Sequence, residues 1–279
     1  MRDVMRTFFL TSTALVMSAG IAAAEVSIGG DGRMGVKSLD GADVVFDSRI
    51  RISFTASGET DNGLSFGGSV RADQDGTGGA AGNVYLSGAF GKVTFGDTGS
   101  AAKQAVGQAG GVGYTGLGDL NEIGYISDVH PSVRWDYTMG DLSLHASTDS
   151  IGQADGADSL LSGAMSYSIG DVGIGAGVER MGDRQNIAAS VSAALGDASV
   201  KVVYGSDDDN ADDSYGASAS FVSGSATFTA FASSKGGMDH FGIGAAFDLG
   251  GGAAIKGGFV DGDSLTGGSS FDLGLTMGF

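Results

Sequence analysis

The sequence predicts an all-β protein: a transmembrane antiparallel up-and-down β-barrel of about 16 strands, with a long third outer loop folded into its lumen. Three observations predict it. Apolar and polar residues alternate with a period of two in segment after segment, as half-buried strands require. The links between segments divide into tight glycine turns and longer polar stretches. One long interruption, residues 99–131, has no strand pattern at all.

The chain opens with Arg2 and Arg6, an apolar stretch over 8–17, and small residues Ala22, Ala23 and Ala24 before Glu25. This is the layout of a cleaved secretory signal peptide over 1–24, which leaves 25–279 for the barrel. No later stretch approaches the roughly 18 to 20 continuous apolar residues of a spanning helix, so any insertion into a membrane is by strands.

From Glu25 the alternation begins. Val26, Ile28, Met34 and Val36 share one parity, and Ser27, Asp31, Arg33 and Lys37 the other. The second segment sets Phe46, Ile50, Ile52, Phe54 and Ala56 against Asp47, Arg49, Arg51, Ser53 and Thr55. A turn over 59–63 follows, and then Leu64, Phe66 and Val70 alternate with Ser65, Ser69, Arg71 and Asp73. The same pattern predicts strands over 82–90, 92–98, 132–139, 142–149, 160–169, 172–180, 185–195, 198–205, 214–223, 225–234, 239–249, 252–260 and 270–279, sixteen with the first three. Gly91-Lys92, Gly140-Asp141, Gly170-Asp171 and Gly196-Asp197 read as two-residue hairpin turns, for which glycine supplies positive φ. The stretches 149–159, 206–213 and 261–269 read as the longer loops of the opposite rim, an asymmetry that outer-membrane barrels share.

Composition narrows the classes further. Glycine reaches 52 residues with a single proline, Pro131, which excludes collagen and a proline-rich linker. Cysteine is absent, so there is neither a disulfide framework nor a thiol nucleophile. The net charge of −18 argues against nucleic acid as a partner, which calls for a basic stripe. The apolar parity is nearly free of charge, while the other is serine, threonine, glycine, aspartate and arginine; that suits lipid outside and a wet lumen inside. Trp135, Tyr137, Tyr167, Tyr204, Tyr215, Phe221, Phe247, Phe259, Phe271 and Phe279 share the apolar parity, as interfacial girdles do.

Arg33, Arg49, Arg51 and Arg71 lie on the wet parity of the first three strands, which a meander places side by side, and Arg134 is a further inward candidate. The long loop contributes Asp119, Glu122 and Asp128. A loop this long inside a compact domain is usually functional. Folded into the barrel mouth it narrows a pore, and an acidic loop edge opposite a basic wall sets a field across the aperture. The plainer reading is that the arginines pair with nearby Asp31, Asp47 and Asp73 inside a plugged lumen.

The mature start EVSIGGDGRMGV, the segment SRIRISFTASGETDNGLSFGGSVRA, the run VYLSGAFGKVTFGD and the ending FDLGLTMGF resemble the Rhodobacter-type general porins of alphaproteobacteria. The resemblance covers most of residues 25–279. It implies a sixteen-stranded outer-membrane homotrimer that passes ions and small hydrophilic solutes, with the third outer loop folded against an arginine cluster. Arg33, Arg49, Arg51 and Arg71 match that basic wall, and Asp119 and Glu122 fall in the loop after GYT. Phe279 resembles the terminal aromatic such barrels present for assembly. The loop is shorter and less acidic than in that family, which bears on aperture size and charge preference.

Other signals are weaker. His130, His145 and His240 lack metal-ligand spacing. GGVGYTGLG has no GxxxxGK[ST] pattern and no helix after it, so it is not a phosphate loop. Asp207, Asp208, Asp209, Asp212 and Asp213 offer oxygen ligands for calcium but lack the EF-hand pattern, and read first as a solvated outer loop; no other cofactor is expected. Three alternatives share some features: a non-conducting outer-membrane anchor with a plugged lumen, a calcium-loaded β-roll, and an outer-membrane hydrolase. The GGxGxDxUx repeat of the second and the GxSxG of the third are missing.

Overall fold

A computed structural model describes residues 25–74, 82–126, 132–150, 158–209 and 212–279. The leader expected over 1–24, together with Asp128, His130 and Pro131, lies outside them. Sixteen strands close into one barrel. They are β1 (Glu25–Ser38), β2 (Val45–Glu59), β3 (Ser65–Asp73), β4 (Asn83–Gly88), β5 (Gly91–Gly96), β6 (Ser132–Met139), β7 (Leu142–Thr148) and β8 (Leu160–Ile169). The second half comprises β9 (Val172–Met181), β10 (Arg184–Leu195), β11 (Ala198–Asp207), β12 (Ser214–Ser223), β13 (Ala226–Lys235), β14 (Met238–Gly250), β15 (Ala253–Gly262) and β16 (Ser270–Gly278). Each strand pairs antiparallel with its sequence neighbours, and β1 pairs with β16, so no edge is left to template aggregation.

Register keeps the apolar parity on the outside. Ile28 lies opposite Phe54, and Phe54 opposite Val70, all three strongly exposed. Phe221 and Phe228, Ile243 and Phe259, and Phe247 and Ile255 form further cross-strand pairs on that face. A skin of exposed Val, Ile, Leu and Phe around a closed barrel suits hydrocarbon rather than water as its solvent. The backbone groups are satisfied within the sheet, as a membrane interior demands.

One rim is tightly turned. Gly140, Gly170, Gly196 and Gly224 have φ near +60° and open two-residue turns, the position where a type II′ hairpin needs positive φ. Two details differ from the sequence reading. The β4–β5 turn is Ala89-Phe90, and Gly91, at φ +95°, belongs to β5, where its backbone passes too close to the Asp136 carbonyl for a Cβ. The other rim is not uniformly long: β9–β10 and β13–β14 are joined by residues 182–183 and 236–237 alone. The wall also varies in height, since β4 and β5 have 6 residues each where β2 has 15.

Candidate functional site

The loop after β5 enters the barrel and lies along its inner wall from β6 to β16. Its first element, absent from the sequence reading, is a short helix, α1 (Ala101–Val106), capped by Ser100, whose hydroxyl accepts from the Lys103 amide. Two more of its first-turn amides are satisfied by the wall: Ala101 N–H donates to Ser147 Oγ at 2.9 Å and Ala102 N–H to Ser162 Oγ at 3.0 Å. The helix lies flat because β9 offers glycine beneath it. A Cβ on Gly175 would come 2.3 Å from the Ala105 carbonyl oxygen, and one on Gly177 would come 2.7 Å from Ala102 Cα.

Beyond α1 the loop crosses the wall toward β16. Gly110 N–H donates to Ser218 Oγ at 2.8 Å. Asp272 Oδ2 then accepts three hydrogen bonds, from Tyr114 N–H (2.9 Å), Thr115 N–H (2.7 Å) and Thr115 Oγ1 (2.7 Å). On the return, the Leu120 carbonyl accepts from Ser233, and Ile126 N–H donates at 2.7 Å to Glu179 Oε2, which Asn186 Nδ2 also reaches. Two apolar clusters fill the space between loop and wall. Val106, Ala109 and Ile123 meet Ala188 and Val203, while Val112 and Leu117 meet Phe231 and Val260. Leu117 takes φ +49°, unfavourable for a branched side chain, and is held there by burial to 2 % exposure. Among the described residues, this seam is the barrel's only hydrophobic core.

The opposite wall carries the charges. In β1 and β2, Arg33 faces Arg49 directly across the ladder, a like-charge pair that diagonal carboxylates offset. Arg33 Nε meets Asp47 at 2.9 Å, Lys37 Nζ meets the other oxygen of Asp47 at 2.5 Å, and Arg49 Nη2 meets Asp31 at 2.9 Å. Asp73 takes both Arg51 (3.2 Å) and Arg71 (2.6 Å). The pairing that the plainer sequence reading expected is therefore present. Yet five cations share three carboxylates, so the wall remains basic, and Arg49, Arg51 and Arg71 keep 25 to 35 % of their side chains exposed. Arg33 reaches the loop, donating to the Tyr114 carbonyl at 3.5 Å with its guanidinium 5.7 Å from the ring. Burial, reinforced by Asp47 and Asp272, raises the Tyr114 hydroxyl above its usual phenol range, so that side chain stays neutral.

The remaining predicted residues divide. Arg134 stands apart from the cluster; it forks onto Asp136, which His145 also meets at 2.7 Å, and donates to the Gly99 carbonyl at 3.1 Å, fixing the loop's entry. Asp119 is exposed at the loop bend with φ +54°, and Glu122 follows it, its amide bonded to the Asp119 carbonyl. In the outer acidic run, Arg184 is forked onto Asp207 and Tyr204 donates to Asp213 at 2.6 Å. Among the described residues no group of three or more His, Cys, Asp or Glu is placed to hold a metal ion. Glu179, Asn186 and Asp272, which seat the loop, escaped sequence reasoning. The signal for them was inward glycine beside them, Gly175 and Gly177 on β9 and Gly274 on β16, small residues that mark where another segment lies on the wall.

A closed sixteen-stranded barrel with an apolar skin, a polar lumen and a loop seated inside it defines a transmembrane barrel of the channel-forming class. The comparisons with known proteins give the family. A model of Gram-negative porins matches residues 11–266, and the chain belongs to that family, whose members reside in the outer membrane. It is 31% identical over 302 residues to a porin of Rhodobacter capsulatus, covering 91% of this chain and 100% of the relative. A porin structure refined at 1.8 Å superposes with a TM-score of 0.81 at 30% identity, covering 91% of this chain and 100% of that one. A mutant of the Rh. blastica porin gives 0.76 at 18% identity with the same coverage, a likeness of fold.

Proposed function

We propose that the protein is a diffusion channel for ions and small hydrophilic solutes, narrowed where the loop of residues 99–131 stands across from the arginines of β1 to β3. The observation that carries this is the one-sided seating of the loop. Its hydrogen bonds and apolar contacts run along β6 to β16, and the charged β1–β3 wall meets it through Arg33. Arg33, Arg49, Arg51 and Arg71 form the basic side of the aperture, and Asp119 and Glu122 its acidic side. The transverse field orients dipolar solutes and raises the barrier to apolar ones. Arg134 belongs to the loop's hinge in this reading rather than to the aperture.

The low wall supports a homotrimer. A 6-residue strand rises only about 20 Å, short of the roughly 30 Å hydrocarbon layer. That side also carries a concave apolar groove of about 880 Å³ lined by Val26, Phe54, Phe66, Val70, Val84 and Phe95. Neighbouring subunits sheltering this face from lipid remove the mismatch. Residues 1–24 are the leader that directs export and is then removed.

The test is osmotic swelling of liposomes carrying the purified protein in sugars of increasing size. Fast swelling in small sugars that falls steeply with solute size is expected. Absence of swelling in every sugar, with the barrel folded, would instead favour a loop-plugged anchor.

A further inference from the structure

Between the loop and the wall lies a second polar feature that the aperture does not use. It is a cavity of about 180 Å³ between the loop and the β13–β15 wall, lined among others by Gly111, Val112, Gly113, Thr227, Thr229 and Lys256. Every one of the named groups is a hydrogen-bond donor or carries one. The Lys256 ammonium has no carboxylate within ion-pair distance among the described residues, in a protein with more than twice as many acidic as basic side chains. Asp272 lies diagonally across on β16; its Oδ2 is committed to the Tyr114 and Thr115 donors, and its Oδ1, buried and without a hydrogen-bond partner, lies against Gly113 and outside the cavity lining.

The loop contributes backbone. The amides of Gly111 and Val112 donate to no acceptor among the described residues, whereas their neighbours at 110 and 114 are both bonded to the wall, and the Gly113 nitrogen lies against Gly258, where an added Cβ would come 2.5 Å from it. Gly113 has φ +80°, and successive amides running into a left-handed residue make an anion-binding concavity. The close fit of the loop here depends on glycine in the wall as well, since a Cβ on Gly244 would come 2.8 Å from Val112 Cβ. Both flanks are thus anchored, which holds the donors in place before any ligand arrives.

We propose that this cavity is a binding site for a small tetrahedral oxyanion, inorganic phosphate being the ligand chemistry it fits. An ammonium, the Thr227 hydroxyl, the Thr229 hydroxyl that Ser220 shares at 2.9 Å, and the loop amides supply more donors than a single-atom halide can use, and an anion with several oxygens takes them together. The inference rests on the lumen being water-filled, since the anion reaches the site from inside the barrel. Bound there, phosphate dwells beside the narrowing and slows the passage of other ions.

Equilibrium dialysis of radiolabelled phosphate against the purified, detergent-solubilised protein tests it, with Lys256→Gln and, as control, the exposed Lys235→Gln. The expected result is one phosphate per chain, displaced by sulfate and not by chloride, with affinity reduced about tenfold or more in Lys256→Gln and unchanged in Lys235→Gln. Thr229→Val should weaken binding by a smaller factor and leave the barrel folded. No saturable binding, or equal binding by Lys256→Gln and the parent, overturns the proposal. Conductance without phosphate separately reports whether the channel itself is open, so failure of the site and failure of the pore reading are told apart.

Discussion

Asp272 does more for the geometry of the lumen than any single arginine, because one buried oxygen holds three loop donors. Replacing it with alanine strands Tyr114 and Thr115 N–H against the wall. The expected cost is about 1–3 kcal/mol, read as a lower unfolding midpoint in detergent and as noisier open-channel current once the loop is loosened. In the proposed aperture the arginines act on permeation rather than on folding. Arg49→Gln, Arg51→Gln and Arg71→Gln together remove three positive charges while Asp31 and Asp73 remain, so the reversal potential in a salt gradient should move toward cation selectivity with the barrel intact. An unchanged reversal potential would take the arginines out of the aperture. Parity alone made these residues legible as inward-facing. It could not show which would meet the loop, because Asp272 and Arg33 are adjacent to it only after the barrel closes β16 onto β1.

The strands were legible nearly end to end, since a period of two over ten residues leaves little freedom in register. The loop's interior was not. α1 is six residues long and draws its stability from Ser147, Ser162 and the glycine floor of β9 rather than from helix propensity, so no local pattern announces it. Gly177→Val puts a branched side chain where Ala102 rests. It should lift the helix from the wall and change conductance far more than it lowers barrel stability. The hairpins give a cleaner backbone measurement. At Gly140 nothing lies within 4 Å of the added carbon, so Gly140→Ala isolates the left-handed strain at φ +60°, about 1–2 kcal/mol by equilibrium unfolding. The β4–β5 turn was misplaced because glycine serves there to let β6 approach, not to turn the chain.

For the whole molecule, closure joins these pieces. The pairing of β1 with β16 continues past the last strand: Gly30 and Phe279 exchange backbone hydrogen bonds at 2.6 and 3.1 Å, and the Phe279 ring fits over a glycine whose Cβ would stand 2.8 Å from it. Phe279 thus helps seal the barrel. Sequence patterning established the class of fold, the wet and dry faces and the existence of an inward loop. The division of the inner wall into a part that seats the loop, β6 to β16, and a charged part, β1 to β3, needed three dimensions, because it depends on strands more than a hundred residues apart. That division makes the central claim: a route past the loop stays open along β1 to β3. Conductance of the purified protein in a planar lipid bilayer tests it most directly. The account predicts stable, stepwise conductance that rises with salt concentration and appears in groups of three levels; a protein shown by circular dichroism to be folded β-structure that never conducts would contradict it.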